Sequence, residues 1–194
     1  MKAQASALEN PMKQTRREFL VFIGAVAIAG LLPFPVFAQA KMKIGIIGSG
    51  NVGSAIGASW VRAGHEVMFS SLEIEHDKAL AKQLGRGAKA GTPREAAAFG
   101  DVVMVSVPYH ALPAVGKDVG DLLKGKIVID TCNPFVGRDG ETGKWALEKG
   151  AGLASKELLP GARLVRAFNA ISAGQMRQAY KEPGKVGMPI DLTP

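Results

Sequence analysis

The amino-acid sequence predicts an α/β protein whose core is a doubly wound, mostly parallel sheet, preceded by a signal segment. Short, almost continuous apolar runs alternate with segments of helical pattern, as expected when strands are buried on both faces of a parallel sheet. A glycine-rich hexapeptide at residues 48–53 joins the first apolar run to the first helical segment. The resulting β-α-β unit has the usual length of about thirty residues, and right-handed crossovers between such units build an open sheet.

Six apolar runs are predicted to be strands. They lie at residues 42–47, 65–70, 88–90, 101–107, 126–130 and 164–168. Four helices are predicted between them, at residues 51–63, 77–84 and 93–98 and within 111–123. The residues after the last strand are rich in Gly and Pro, which predicts loops and one short helix.

Two of the predicted helices have defined ends. Val52, Ile56 and Trp60 recur at a spacing of four residues, and Gly64 is placed to end that helix. Residues 92–95 read Thr-Pro-Arg-Glu, a capping box with Pro at the first helical position. The third helix is therefore expected to begin there.

Composition and charge narrow the class of protein. The chain has 194 residues, 47% of them apolar, and 24 Lys+Arg against 17 Asp+Glu give a formal net charge of +7. The high apolar content excludes a disordered chain. The basic residues are scattered along the sequence, which predicts a solvated basic surface rather than a nucleic-acid-binding site. Cys132 is the single cysteine, so no internal disulfide forms. The histidines His65, His76 and His110 lack metal-ligand spacing, so no metal site is expected.

The first forty residues have the pattern of an export signal. Basic residues precede an uncharged apolar stretch at 19–32, which is the order of a signal peptide's n-region and h-region. Arg16 and Arg17 lie in a Thr-Arg-Arg-Glu-Phe-Leu segment that is similar to the twin-arginine motif, whose machinery exports folded proteins. We therefore expect residues 1–40 to be a twin-arginine signal peptide and residues 41–194 to be the exported domain.

Small residues follow the apolar stretch, so cleavage is expected after Ala38 or Ala40. Cleavage would place the mature protein in the periplasm or outside the cell. The alternative is an uncleaved membrane anchor, because residues 19–40 carry no charge and a spanning helix needs about 20 residues.

The glycine-rich hexapeptide has the G-x-G-x-x-G pattern of a Rossmann-type dinucleotide site, and it lies directly after a strand and before a helix. Its residues are Gly48, Ser49, Gly50, Asn51, Val52 and Gly53. Gly48 permits the tight turn, Gly50 lets the backbone approach a pyrophosphate, and Gly53 lets the helix pack closely on the strand. The helix N-terminus favours the same anion. The alternative is that these glycines serve only packing.

The choice of cofactor is expected to depend on the end of the second strand, where the chain has Ser70, Ser71 and Leu72. This turn contains no carboxylate to bind the ribose 2′-hydroxyl of NAD, and serine hydroxyls can donate to a 2′-phosphate. NADP is therefore predicted. NAD remains an alternative cofactor, because charged or titratable side chains lie nearby in the sequence at Glu73, Glu75, His76 and Lys78.

Five motifs in chain order resemble the coenzyme F-420-dependent NADP oxidoreductase family, over roughly residues 42–190. They are the glycine motif, the Ser70-Ser71 turn, Ser106-Val107-Pro108-Tyr109, Asp130-Thr131-Cys132-Asn133-Pro134 and Arg166-Ala167-Phe168-Asn169. The resemblance implies a Rossmann domain that binds NADP(H), with the glycine loop on the pyrophosphate and Ser70-Ser71 near the 2′-phosphate. It also implies that the nicotinamide and its ribose are bordered by Val107, Pro108, Tyr109, Asn133 and Pro134.

The chain departs from the family pattern in two places. Leu72 stands where the family commonly has an arginine, which weakens the expectation of NADP selectivity. Family chains continue after a segment like residues 186–190, whereas this sequence stops at Pro194. We therefore expect a C-terminal substrate part that is short or missing, and weak turnover of acceptors unless a second subunit, as in a homodimer, closes the site.

The function expected from the resemblance is hydride transfer between a nicotinamide and a small-molecule or deazaflavin-like acceptor, coenzyme F-420 being one candidate. No catalytic residue is identified, although Tyr109 and His110 are candidates to donate a proton to a carbonyl acceptor. One alternative is an imine reductase of the pyrroline-5-carboxylate reductase type, which the sequence of residues 48–56 also resembles. The other is a nucleotide-binding remnant without turnover.

Overall fold

The structure is a computed structural model that describes residues 40–178 and the backbone of residues 191–192. Its described part contains seven strands in one sheet. They are β1 (Lys43–Ile47), β2 (Glu66–Ser70), β3 (Ala88–Ala90), β4 (Val102–Val105), β5 (Ile127–Asp130), β6 (Arg163–Arg166) and β7 (Asp191–Leu192). The predicted signal peptide, its cleavage sites and the alternative membrane anchor lie outside the described residues, apart from Ala40 at the boundary.

Seven α-helices connect or follow these strands within the described residues. They are α1 (Asn51–Arg62), α2 (Ile74–Leu84), α3 (Pro93–Phe99), α4 (Leu112–Leu123), α5 (Val136–Lys149), α6 (Ala151–Leu158) and α7 (Ala173–Gln178). A short 3₁₀ turn, Tyr109–Ala111, precedes α4, and α5 is interrupted at Gly140, whose φ is 54°. None of the helices in the described part has the length and apolarity that a membrane span requires.

The strands lie in the order β3-β2-β1-β4-β5-β6-β7, and all adjacent pairs are parallel except β6 with β7. The order 3-2-1-4-5-6 is that of the doubly wound Rossmann sheet. The chain reverses its direction of progress across the sheet between β1 and β4, and ligands bind such sheets at the carboxyl ends of the strands beside this reversal. The predicted doubly wound, mostly parallel α/β sheet is confirmed.

Helices cover both faces of the sheet, which explains the nearly continuous apolar runs of the strands. All four residues of β4 are buried. Val103 and Val105 join the cluster that contains Leu112 of α4, whereas Met104 joins the opposite cluster with Phe69 of β2. Successive side chains of a strand point to opposite faces, so both faces of β4 must be apolar.

The ends of several elements differ from the prediction. Helix α2 begins at Ile74, three residues before the predicted start, and acidic residues in its first turn suit the helix dipole. Strand β4 is shorter than predicted at both ends, since it runs from Val102 to Val105 instead of over residues 101–107. Strand β6 ends before Phe168, which has a φ of +64°. The capping box at α3 is confirmed, with reciprocal hydrogen bonds between Thr92 and Glu95.

Candidate dinucleotide site

A cavity of about 620 Å³ opens over the carboxyl ends of β1 and β4, at the reversal point of the sheet. Five segments line it: the end of β1 with the glycine loop, the turn after β2 with the first turn of α2, the start of α3, the loop after β4 and the first turns of α4. The lining residues include Gly48, Ser49, Gly50, Ser71, Leu72, Glu73, His76, Ser106, Val107, Pro108, His110, Ala111, Ala114, Val115, Asp118 and Val119. Its volume is within the usual range for small-molecule and cofactor sites.

The three glycines of the motif are needed for different structural reasons. Gly48 has a φ of +99°, and a Cβ there would collide with the carbonyl oxygen of Ser106. A Cβ at Gly53 would collide with the carbonyl oxygen of Gly48. At Gly50 a Cβ would meet nothing within 4 Å. Packing therefore explains Gly48 and Gly53, but the open space at Gly50 fits a ligand that must approach the backbone.

The glycine loop presents the N-terminus of α1 to the cavity. The backbone N–H groups of Gly48 and Ser49 donate to the carbonyl oxygen of Ser70 at 2.8 and 3.0 Å, which holds the loop against β2. Helix α1 has no side-chain cap and no acidic residue in its first turn. The N–H groups of this turn, which contains Asn51, Val52 and Gly53, therefore remain available to an anion such as a pyrophosphate.

A cation also lies beside this helix N-terminus. Nη2 of Arg177, on α7, donates to the backbone oxygen of Asn51 at 3.2 Å and to its Oδ1 at 3.1 Å. Arg177 is 126 residues away in the sequence, so only the tertiary structure shows that it reinforces the positive end of α1.

The two serines after β2 have different environments. Ser70 is completely buried, and its Oγ donates to the carbonyl oxygen of Ile46 at 2.7 Å. Its hydroxyl is not presented to the cavity, which corrects the expectation that this side chain can donate to a 2′-phosphate. Ser71 does line the cavity. Its binding role stays a prediction.

Asp77 is a residue of this site that the sequence analysis missed. Its carboxylate accepts a hydrogen bond from Oγ of Ser49, in the glycine loop, and another from Oγ of Ser71 at 2.9 Å. Asp77 is completely buried. The turn after β2 contains no carboxylate, as expected, but α2 places one directly behind it. The sequence predicted that this helix starts at Asp77, whereas it starts at Ile74. Asp77 therefore lies one turn inside the helix, which the prediction did not show.

Two residues of the loop after β4, Val107 and Pro108, lie in the cavity wall. Tyr109 is completely buried instead, and its hydroxyl group contacts the Ala151 carbonyl oxygen and Ser155 Oγ, both at 2.9 Å. Burial raises the pKa of Tyr109. Its side chain packs α6 against the sheet, which corrects the expectations that it donates a proton to the acceptor or borders the nicotinamide.

His110 lines the cavity, and both its backbone N–H and its ring contact the Asp139 carboxylate. His110 Nδ1 is 2.8 Å from Asp139 Oδ1. An ionised carboxylate only accepts hydrogen bonds, so Nδ1 carries the proton. Within residues 40–178 no hydrogen bond engages Nε2, so this atom remains free to accept a hydrogen bond from a ligand in the neutral imidazole, or to donate one in the charged form.

Asp139 is the centre of a network that joins the loops after β4 and β5. The Arg138 guanidinium holds the pKa of the Asp139 carboxyl well below its usual range, helped by the backbone N–H of Phe135 and by His110, against the opposing effect of burial. Nη2 of Arg138 also donates to the Asn133 carbonyl oxygen at 2.8 Å. The network therefore fixes the Asn133-Pro134 segment relative to His110.

Asn133 and Pro134 lie outside the lining of the cavity, on the neighbouring loop after β5. Nδ2 of Asn133 donates to the Asn169 carbonyl oxygen at 2.8 Å. A buried ion pair between Arg166 and Asp130 lies beside them, and Nη2 of Arg166 also donates to the Cys132 carbonyl oxygen at 3.1 Å. Hydrogen bonds through Arg138 and Asp139 link this segment to His110 in the cavity wall, and its contact with the nicotinamide half of a dinucleotide stays a prediction.

Cys132 is structural within this network. It is buried, and its Sγ lies 3.5 Å from the Val105 carbonyl oxygen. Burial raises the pKa of its thiol well above the ordinary value. A thiol that stays protonated is a poor nucleophile.

The fold and the cavity together define a Rossmann-type nucleotide-binding protein. Residues 43–134, from β1 to the loop after β5, match the family model described as NADP oxidoreductase, coenzyme F420-dependent. An F420-dependent NADP reductase of Methanothermobacter thermautotrophicus is 30% identical over an alignment of 148 residues, and the match covers 70% of this chain and 64% of the relative. The chain thus spans a little under two thirds of the length of that reductase.

Solved structures agree with the fold. A hypothetical protein of Sinorhizobium meliloti is 26% identical, with a TM-score of 0.58 over 73% of this chain and 67% of the other. A pyrroline-5-carboxylate reductase of Coxiella burnetii is 18% identical, with a TM-score of 0.52 over 66% of this chain and 44% of the other. The second likeness concerns the fold alone.

Proposed function

We propose that the protein is an NADP(H)-binding oxidoreductase of the coenzyme F-420-dependent NADP oxidoreductase family, which also accepts NAD(H). Its reaction is hydride transfer between the nicotinamide and a small-molecule or deazaflavin-like acceptor. The observation that carries the proposal is the position of Gly50, which lines the cavity in the glycine loop and has open space where a Cβ would stand, so that a ligand can approach the backbone there.

The residues of the cavity fit the adenosine and pyrophosphate parts of such a cofactor. The glycine loop and the first turn of α1 offer backbone N–H groups to the pyrophosphate. An apolar part of the cavity wall, against which a base can pack, is formed by Val107, Pro108 and Val115. When bound, the nicotinamide supplies or accepts a hydride, and the protein's task is to orient it and to exclude water.

The similarity to a family of NADP reductases supports the choice of NADP(H), and it does so over the nucleotide-binding residues 43–134. A direct hydride transfer to a deazaflavin-like ring requires no dedicated side-chain acid. Coenzyme F-420 is therefore the first acceptor to test, ahead of flavins, carbonyl compounds and a cyclic imine.

Two measurements on the full chain test this proposal. Isothermal titration with NADPH and NADH should detect binding of at least one of them at micromolar to low millimolar concentrations. NADPH oxidation at 340 nm should then be followed with the four acceptor classes. Turnover with the cyclic imine alone would favour the pyrroline-5-carboxylate-reductase-like alternative. Binding without turnover would favour the nucleotide-binding remnant, and absence of binding would refute the proposal.

We also propose that residues 1–40 direct the protein through the twin-arginine machinery to the periplasm or the exterior of the cell. The support is the Arg16-Arg17 pair followed by the apolar stretch at 19–32. A pathway that carries folded proteins is chemically suited to a domain that binds its nucleotide before export.

A further inference from the structure

We propose that Asp77 determines coenzyme preference in the dinucleotide site. Its buried carboxylate disfavours the 2′-phosphate of NADP(H), so that NAD(H) competes for the same site. This inference rests on the proposed function, because it assumes that the cavity binds a nicotinamide dinucleotide.

The first step of the argument is the position of the carboxylate. Asp77 bonds to Ser49 in the glycine loop and to Ser71 after β2, and both serines line the cavity. In Rossmann sites the pyrophosphate lies on the glycine loop and the ribose 2′ position lies at the end of β2. Asp77 is therefore directly behind the wall between these two positions, although it does not itself face the cavity.

The second step is the balance of charge around this corner. Among the cavity-lining residues of the described part there is no Lys or Arg, whereas Glu73 is acidic. Asp118 also lines the wall, and outside the lining the Arg94 guanidinium donates to its carbonyl oxygen and pairs with Asp121. Lys78, one residue after Asp77, is paired with Glu75 at 2.7 Å. Leu72 is fully exposed and carries no charge. The negative charge of Asp77 is thus not offset by a cation in the wall.

The third step concerns the two histidines of the cavity. His110 already uses its Nδ1 in the hydrogen bond to Asp139, so that atom is not available to a phosphate. His76 belongs to the same helix as Asp77 and lies next to Glu75 in the sequence. A phosphate monoester carries about −1.5 to −2 charges at pH 7. With no Lys or Arg among the lining residues, a 2′-phosphate here has no such cation in the wall to pair with, whereas a 2′-hydroxyl carries no charge and needs none.

A purely structural role for Asp77 predicts a different result. If the carboxylate only holds the glycine loop to the turn after β2, its loss lowers the binding affinity for both coenzymes by the same factor. If its charge acts on the 2′-phosphate, removal of that charge favours NADPH over NADH. The ratio of the two affinities therefore separates a positioning role from a role in specificity.

The experiment measures dissociation constants of NADPH, NADH, 2′,5′-ADP and 5′-AMP for the full chain and for Asp77→Asn, which keeps the side-chain volume and removes the charge. Glu148→Gln is the matched control, because it changes net charge equally at an exposed position of α5 outside the cavity. We expect Asp77→Asn to raise the NADPH-to-NADH affinity ratio about tenfold, which corresponds to about 1.4 kcal/mol. The control should leave the ratio unchanged.

An unchanged ratio in a folded Asp77→Asn variant, with both coenzymes weakened alike, would overturn the inference and leave the proposed function standing. A second test uses the unmodified protein, so it does not depend on the folding of a variant. The wild-type chain should bind 5′-AMP at least as tightly as 2′,5′-ADP. Tighter binding of 2′,5′-ADP than of 5′-AMP would refute the role of Asp77, and no binding of any of the four nucleotides would refute the proposed function together with it.

Discussion

The imidazole Nδ1 of His110 donates to the carboxylate of Asp139 across 2.8 Å, and this bond joins the loop after β4 to the first turn of α5. The same carboxylate accepts the backbone N–H of Phe135 at 2.8 Å. One buried side chain thus organises two of the loops at the carboxyl edge of the sheet. In an open α/β sheet these loops form the ligand crevice, so their relative position matters for binding.

We expect Asp139→Asn to lower the free energy of unfolding by about 1.5–3 kcal/mol at pH 7, because charge-assisted hydrogen bonds are lost. The pKa of Asp139 is depressed in the folded state, against about 3.9 in the unfolded chain. Its stabilising contribution is therefore present above that unfolded value and is lost as pH falls further.

Urea denaturation of wild type and variant at pH 7 and pH 3 checks this expectation. The stability difference should shrink at pH 3, where the unfolded chain already binds the proton. Asp118→Asn, at an exposed aspartate, is the control and should change stability at neither pH. An equal stability difference between wild type and Asp139→Asn at both pH values would contradict a stabilising role for the ionised carboxylate.

Gly50→Val should weaken nucleotide binding more than tenfold while leaving the melting temperature nearly unchanged. The reason is that the new side chain fills space that the ligand needs but that the protein leaves open. Calorimetric titration with NADPH and a thermal scan measure the two effects. Gly137→Val is the matched control, because that glycine also has open space at its Cβ position but does not line the cavity.

Leu72→Arg should raise the affinity ratio of NADPH to NADH roughly ten- to a hundredfold. A guanidinium at this position can form charge-assisted bonds with the 2′-phosphate, worth about 1.5–3 kcal/mol. Leu72 is fully exposed at the cavity, so the substitution costs no core packing. Leu147→Arg, another exposed leucine, controls for added charge. If the ratio does not rise, the turn after β2 is not at the 2′ position.

Arg166→Met should destabilise the fold by about 3–5 kcal/mol, because it leaves the buried carboxylate of Asp130 without its partner. Replacing both residues, with Asp130→Leu added, should recover much of this loss. Urea denaturation of the two single variants and the double variant measures the coupling. Additive effects would show that the ion pair does not act as a unit.

Arg16→Lys combined with Arg17→Lys should block export, since the twin-arginine machinery reads the arginine pair as an address and not as bulk charge. Cell fractionation and immunoblotting measure the distribution of the protein. The control is Lys2→Arg with Lys13→Arg, which changes basic residues outside the motif. Unchanged accumulation of the Arg-to-Lys variant in the periplasm would remove the support for this pathway.

The sequence by itself determined the features that depend on neighbouring residues. The apolar run before Gly48 and the helical spacing of Val52, Ile56 and Trp60 were enough to predict the first β-α-β unit, because strand and helix periodicity are local properties. The capping box at α3 was predictable for the same reason. These local signals, repeated along the chain, predicted the order of the elements and the class of fold.

Only the tertiary structure decided which side chains surround the site. Asp77 meets Ser49 across 28 residues and Tyr109 meets Ser155 across 46, and no spacing pattern signals contacts of that range. The same limit explains why Ser70 and Tyr109 were expected at the ligand although both are buried. A parallel sheet brings the ends of distant strands to one edge, so the environment of each loop is set by neighbours that the local sequence does not contain.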